Sequence, residues 1–274
     1  MKTHIYSLFL VVATLISCDQ IQQSKTHQLR LKGSESMHET FEELAADFEK
    51  TQDTIKVSIE GGGSRTGLMA IKNRQAEIGL SSFPFDLDRT LGQSHGVQEQ
   101  VVAYDAIVVI TNRNNTLDSL DDDQINKIYS GEITDWSQLG GRDGAIIPVI
   151  RDQNSGTQKF FVEHFGIDQV ASSATIAPDN AEIVAQVSNN VNGIGFIGFA
   201  YFTQSVHNLS LPGSNSDQFH APTHRNLENG KYPLKRGLRV YFYDDNNPAV
   251  KGFMQYLKTK RAHGIIESYG LIAI

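Results

Sequence analysis

The chain has 274 residues, enough for one large or two medium domains with cores of their own. Apolar residues make up 39% and charged residues 20%, ordinary proportions for a chain that folds in water. The net charge of −7 argues against nucleic acid as a partner, because no surplus of Lys and Arg exists to neutralise phosphates in series. It also means that a small anion would have to be held by local hydrogen bonds, since the field of the whole molecule does not attract it.

Met1-Lys2-Thr3-His4 precedes an almost wholly apolar run over residues 5–16, and Ser17-Cys18 follows. A charged start, a short apolar run and a small residue make the order of a secretory signal. The run is shorter than the roughly 20 residues a membrane-spanning helix needs. Leu15-Ile16-Ser17-Cys18 resembles the bacterial lipobox, whose cysteine becomes the lipidated first residue of the mature protein. Cys18 is the sole cysteine, so no intramolecular disulfide can form. Residues 1–17 are therefore expected to be a lipoprotein signal peptide, and residues 18–28 a polar tether. No second long apolar segment appears, so the mature protein is expected to be anchored without spanning.

Residues 28–32 alternate as a strand that Gly33-Ser34-Glu35-Ser36-Met37 ends. A helix is predicted over 37–50, with Phe41, Leu44, Ala45 and Phe48 at helical spacing and Ser36 with Glu39 as its capping box. Residues 55–59 alternate again and run into Glu60-Gly61-Gly62-Gly63-Ser64-Arg65-Thr66-Gly67, then into a helix carrying Leu68, Met69 and Ile71. Three glycines before a serine at a strand-to-helix turn let backbone approach a bound group closely. The Gly-Lys-Ser/Thr ending of a Walker loop and the glycine spacing of a dinucleotide fingerprint are both missing. Residues 77–82 form a short strand ending in two hydroxyls, Ser81 and Ser82. Residues 101–111 are the most strand-like run of the chain, interrupted by Asp105, which is either a hydrogen-bonded structural residue or part of a site.

Asp121-Asp122-Asp123 suits the start of a helix over 124–129 better than a metal site. Residues 131–141 read as a loop in which Trp136, the only tryptophan, packs a turn. An extended segment over 146–150 then delivers Arg151-Asp152-Gln153-Asn154-Ser155-Gly156-Thr157 to a helix over 158–165. Ser155 sits at the N-cap position and Gln158 at the position that completes a capping box. A short helix over 181–187, a glycine-dotted strand over 194–199, a turn over 230–236, a strand over 238–243 and a last amphipathic helix over 250–263 complete the chain. Alternating strands and helices predict an α/β chain with mostly parallel sheets, whose ligands sit beyond the carboxyl ends of the strands. Helices starting at Ser36, Ser64 and Ser155 would all begin there. Three helix N-termini and the Arg151 guanidinium would make a cradle for a tetrahedral oxyanion.

The ordered set of motifs resembles the substrate-binding proteins of bacterial phosphate ABC importers, the periplasmic-binding-protein type II fold. The match runs through Gly33 to Met37, Gly61 to Ser64, Glu77 to Ser82, Tyr104-Asp105, residues 128–136, Arg151 to Thr157, the strand from Gly193 to Gly198, and Gly230-Lys231-Tyr232-Pro233-Leu234. The resemblance implies two lobes joined by crossing strands, with phosphate buried in the cleft between them. It implies residues 29–110 and 237–274 for one lobe and 111–236 for the other. By position, Ser36, Met37, Ser64, Ser82, Arg151, Ser155, Gly156 and Thr157 would bind phosphate, with Ser34, Glu35 and Asp105 as further candidates. No cofactor and no metal are expected. The implied partners are inorganic phosphate and a membrane permease of an ABC importer, and the implied protein is a monomeric, membrane-anchored lipoprotein outside the cytoplasm.

One departure bears on selectivity. Many family members end the third motif with an aspartate that accepts a proton of phosphate and repels sulfate. Here that position is Ser82. Glu35 could take the role, or serve as a helix cap; Asp105 and Asp152 are further choices. Binding of a sulfate-like oxyanion, or a sensing module without a permease, is thus the alternative. A phosphoester hydrolase with Ser155 as nucleophile and His164 or His38 as base is a third reading. Against it, His164 would lie about two turns along the helix that Ser155 caps, and neither a Gly-x-Ser-x-Gly elbow nor clustered metal ligands appear.

Overall fold

The computed structural model describes residues 26–213 and 216–274. The apolar leader, Cys18 and most of the tether lie outside the described residues. Strand β1 (His27–Gly33) takes in the tether's last residues. A 3-10 turn (Glu35–Met37) leads into α1 (His38–Glu49), followed by β2 (Ile55–Glu60), α2 (Ser64–Lys72), β3 (Ile78–Ser81) and α3 (Leu87–Leu91). The 16-residue β4 (Val97–Asn112) carries the chain into the second half. There α4 (Asp122–Ser130), β5 (Ile147–Arg151), α5 (Gly156–His164), β6 (Thr175–Ala177), α6 (Asn180–Asn189) and β7 (Gly193–Gly198) follow. Three short strands come next, β8 (Val206–Asn208), β9 (Leu211–Gly213) and β10 (Ser216–His220), then α7 (His224–Glu228). Strand β11 (Lys235–Tyr243) returns to the first half, where α8 (Pro248–Tyr256), α9 (Lys260–Ser268) and β12 (Ile272–Ala273) end the chain.

The principal sheet runs β2-β1-β3-β11-β4-β7-β5-β6. Within each half the strands are parallel: β2, β1 and β3 on one side, β7, β5 and β6 on the other. The long strands β4 and β11 run antiparallel to their neighbours and are the two connections between the halves. Residues 97–106 of β4 pair with β11, whereas residues 107–111 pair with β7, so one strand serves both lobes. Ala106, Ile107, Val108, Val109 and Ile110 are all fully buried, which suits a continuous apolar run covered on both faces.

Each lobe has its own core. In the first, Phe41, Leu44 and Phe48 of α1 pack against Phe253 and Tyr256 of α8, with Phe48 and Phe253 edge-to-face at 5.3 Å. In the second, Phe161 of α5 stacks on Phe196 of β7 at 3.8 Å, and Tyr129 of α4 meets both. Trp136 belongs to this core, and its indole N–H donates to the Asn192 carbonyl at 3.1 Å. The loop read around it holds a helical turn, Trp136–Leu139, because Asp135 and Gln138 close a capping box there. Asp121 and Gln124 close another at the start of α4.

The last helix predicted over 250–263 is two helices. Thr259 accepts the Ala262 N–H at 3.2 Å and restarts the chain in a new direction. The apolar periodicity hides the break because Ala262 and Ile266 remain on a buried face. No described helix is long and apolar enough to cross a membrane.

Candidate functional site

The carboxyl ends of β1, β3 and β5 bring the sequence motifs to one place between the lobes. At the end of β1, Gly33 takes φ +143°, and a Cβ there would lie 2.2 Å from the Leu80 carbonyl oxygen of β3. Only glycine lets the two strands end side by side. Ser36 follows and is buried. It does not cap α1, contrary to the sequence reading: the N-cap position is Met37, with no side-chain bond. The 3-10 turn already satisfies the entering amides, with Met37 N–H donating to Ser34 O at 3.1 Å and His38 N–H to Glu35 O. The Ser36 hydroxyl is thereby free to reach the other lobe, where it shares a 2.8 Å hydrogen bond with Thr157 Oγ1.

Ser64 also does not cap its helix. Gly63 holds the N-cap position of α2, and Ser64 is the first helical residue. Its Oγ accepts the Ser82 N–H at 3.0 Å and lies 3.3 Å from Ser82 Oγ, which itself accepts the Ser34 hydroxyl at 3.0 Å. All three serines are buried. The glycine loop around them runs against the opposite lobe, where Asn154 O accepts the Arg65 N–H at 3.2 Å.

Ser155 does cap α5, accepting the Gln158 N–H at 3.2 Å. The reciprocal half of the box is absent, because Gln158 Oε1 accepts the Arg151 N–H at 3.0 Å and Ser155 N–H donates to Asp152 O. Gln158 thus ties the arginine's backbone to the helix start. The amides of Gly156 and Thr157 belong to the first turn and have no intrahelical acceptor. Gly156 presses on the first lobe: a Cβ on it would stand 2.2 Å from Ser64 Oγ and 2.8 Å from Ser82 Oγ.

The Arg151 side chain is 1% exposed, and its Nε has no hydrogen-bond partner among the described residues. Its nearest carboxylate, Asp152, is half in solvent at 4.0 Å. Burial pushes the guanidinium pKa down, opposed by the charges of Asp152, Glu35 and Asp179. An arginine starts so far above neutrality that it remains a cation. A buried cation without a contacting counter-charge is costly, and an anion between the lobes would relieve that cost.

Arg236 is the residue the sequence reading missed. That reading placed it at the end of a turn, but it is the second residue of β11 and faces Asp105 in register on β4. Its Nη2 and Nε donate to Asp105 Oδ2 at 2.7 and 3.1 Å, while Asp105 Oδ1 accepts the Phe199 N–H at 3.0 Å. Burial pushes Asp105 up and Arg236 down, and each charge holds the other ionised against that push. The same guanidinium donates to Ser36 Oγ at 3.0 Å and to Thr157 Oγ1 at 2.9 Å.

Glu35 Oε1 accepts the Gly62 N–H, and the Glu35 carbonyl accepts the Tyr201 hydroxyl at 2.7 Å. Its carboxylate therefore holds the glycine loop and does not cap a helix. The hydroxyl of Ser155 is occupied as a cap, His38 pairs with Glu42 at 3.2 Å, and His164 stacks on Phe160. No described contact joins a histidine to Ser155. Among the described residues no cluster of three or more His, Cys, Asp or Glu could hold a metal.

This fold and site define a two-lobed binding protein, in which an α/β lobe on either side lines a polar site. The chain matches the PBP superfamily domain over residues 20–261 and belongs to that superfamily. Among curated proteins, the phosphate-binding protein PstS of Borreliella burgdorferi is 26% identical over the whole chain and 99% of that protein. Among solved structures, a protein of Clostridium perfringens assigned as a phosphate ABC transporter substrate-binding protein, with bound phosphate, is 28% identical. It covers 90% of this chain and 100% of that one at a TM-score of 0.83. An ABC-type phosphate transport receptor of Vibrio cholerae is 27% identical, with 90% and 100% covered and a TM-score of 0.74.

Proposed function

We propose that this protein captures inorganic phosphate outside the cytoplasmic membrane and presents it to the permease of an ABC importer. The observation that carries the reading is the buried Arg151 guanidinium, whose nearest carboxylate among the described residues stands 4.0 Å away and which the first turn of α5 adjoins. The phosphate-binding names of the relatives support the same reading. In this scheme the ligand accepts from the hydroxyls of Ser36, Ser64, Ser82, Ser155 and Thr157, from the amides of Met37, Gly156 and Thr157, and from Arg151. Ser34 supports Ser82. Residues 29–110 and 237–274 form one lobe and residues 111–236 the other. They open and close about β4 and β11, and the closed form is what the permease recognises. Cys18 carries the lipid that anchors a monomer. No bond of the ligand is made or broken.

Calorimetric titration of the purified protein is expected to give micromolar or tighter phosphate binding, roughly −8 kcal/mol or better. No heat with phosphate, at any pH at which the protein is folded, overturns the reading.

Selectivity falls to Glu35 in this scheme. Ser82 adds no charge, whereas Glu35 lies on the glycine loop and its charge is felt at Arg151. A carboxylate there accepts the proton of hydrogen phosphate and repels sulfate, which brings none. Glu35→Gln is expected to keep phosphate binding and to narrow the phosphate-over-sulfate ratio about tenfold. An unchanged ratio in competition titrations would clear Glu35 of that role.

A further inference from the structure

We propose that Arg236, held by Asp105, is a positioning residue of the anion site: it fixes the Ser36 and Thr157 hydroxyls as donors, one from each lobe. The role rests on the phosphate-binding reading and adds residues that do not themselves touch the ligand.

A hydroxyl carries one proton and two acceptor lone pairs. Ser36 and Thr157 bond each other across the cleft at 2.8 Å, and one proton is spent on that bond. Arg236 reaches both oxygens at once, at 3.0 and 2.9 Å, and donates to each. Guanidinium has no acceptor. Each hydroxyl therefore has a lone pair filled by Arg236; one of the two protons closes the 2.8 Å bond between them, and both can turn to an anion that enters between the lobes without leaving either oxygen unsatisfied. An anion needs donors only, so the arrangement sets two uncommitted groups to the single role that binding requires.

Asp105 sets Arg236 in turn. Two bonds to one carboxylate oxygen orient the guanidinium plane, and the Phe199 N–H holds the other oxygen. The pair is neutral as a unit, so its contribution is direction and not net charge. Arg151 remains the cation with no close counter-charge among the described residues. The pair also sits at one register position of β4 and β11, the two strands that cross between the lobes. It therefore lies where the halves join, within reach of one hydroxyl from each. Lysine could keep the charge but could not make four directed bonds to three groups from one plane.

Replacing a buried pair with apolar residues of similar volume generally leaves a protein folded. Asp105→Leu with Arg236→Met is expected to keep the unfolding midpoint of the ligand-free protein and to weaken phosphate binding about tenfold or more. Arg236→Lys alone is expected to lose a similar factor. The decisive measurement repeats the paired substitution where Ser36→Ala and Thr157→Val have removed the hydroxyls. If the pair acts through them, it costs no further affinity there. Full additivity, or wild-type affinity in a folded paired variant, overturns the proposal. Should the paired variant not fold, Arg236→Lys in the two backgrounds decides by the same criteria. Wild-type protein that fails to bind phosphate overturns the underlying reading and this role together.

Discussion

Replacing Arg151 with alanine is expected to weaken phosphate binding by about 2–5 kcal/mol, roughly thirtyfold to several thousandfold, without destabilising the ligand-free protein. The two halves of that expectation come from one observation. The side chain is 1% exposed and, among the described residues, lacks a partner at Nε and has only a half-exposed carboxylate at 4.0 Å. In most buried ion pairs, removing one partner strands the other charge and the fold suffers. Here little charge is stranded, because the nearest carboxylate among the described residues, Asp152, stands 4.0 Å away and is open to solvent. The ligand-free protein loses an unfavourably buried cation, and its unfolding midpoint is expected to stay level or rise. With phosphate present the balance reverses, since the charge-assisted bonds that the guanidinium would make to the anion are gone. Arg151→Lys should fall between, keeping the charge but not the planar fork. Calorimetry and thermal unfolding, each with and without phosphate, test both halves. Unchanged affinity in Arg151→Ala would remove the guanidinium from the site. A large loss of ligand-free stability would mean that Arg151 is structural.

What the sequence discloses and what it conceals divide along sequence separation. The junction from Arg151 to Thr157 is legible because its parts lie within seven residues: a strand end, an N-cap and a first turn. Even there the Gln158 side chain turned back to the Arg151 amide, a choice between two nearby donors that spacing alone does not decide. Ser36 and Ser64 do lie between the lobes, but neither caps a helix as the local pattern predicts. Each was read as a local cap because local partners are all that a sequence displays. Ser36 bonds Thr157, 121 residues away, and Ser64 accepts from Ser82. Arg236 left no local trace. It follows a tyrosine-proline turn and a lysine, so it reads as one more surface charge, and its partner Asp105 lies 131 residues earlier. The Asp105 interruption of an apolar strand was the visible half of that pair. A search for a lone cation at the start of the other long apolar strand would have supplied the second half. The break between α8 and α9 was hidden for the opposite reason, since an uninterrupted pattern covered a real cap at Thr259.

Gly156→Ala isolates lobe closure from folding, because the substitution should favour one and oppose the other. Gly156 is the first residue of α5 and is not among the positive-φ glycines, so its backbone suits alanine. Within a helix, alanine is better than glycine by up to about 1 kcal/mol. The ligand-free unfolding midpoint is therefore expected to hold or rise. The cost lies across the cleft, where the new Cβ would stand 2.2 Å from Ser64 Oγ and 2.8 Å from Ser82 Oγ. Ser64 cannot swing aside freely, because its Oγ accepts the Ser82 N–H at 3.0 Å. Ser82 is held in turn by Ser34. The obstruction falls between hydroxyls of one lobe and the helix start of the other, where the proposed phosphate must be enclosed. Overpacking of this kind costs about 1–3 kcal/mol where the neighbours can shift and more where they cannot. Phosphate affinity should thus drop at least about tenfold. The compaction that phosphate induces in small-angle scattering should shrink with it. Restoring room by Ser64→Gly should not restore binding, because the hydroxyl it removes is itself a proposed contact. Full affinity in Gly156→Ala would show that the lobes hold the anion without approaching this closely, and the floor of the site would have to be sought away from Ser64 and Ser82.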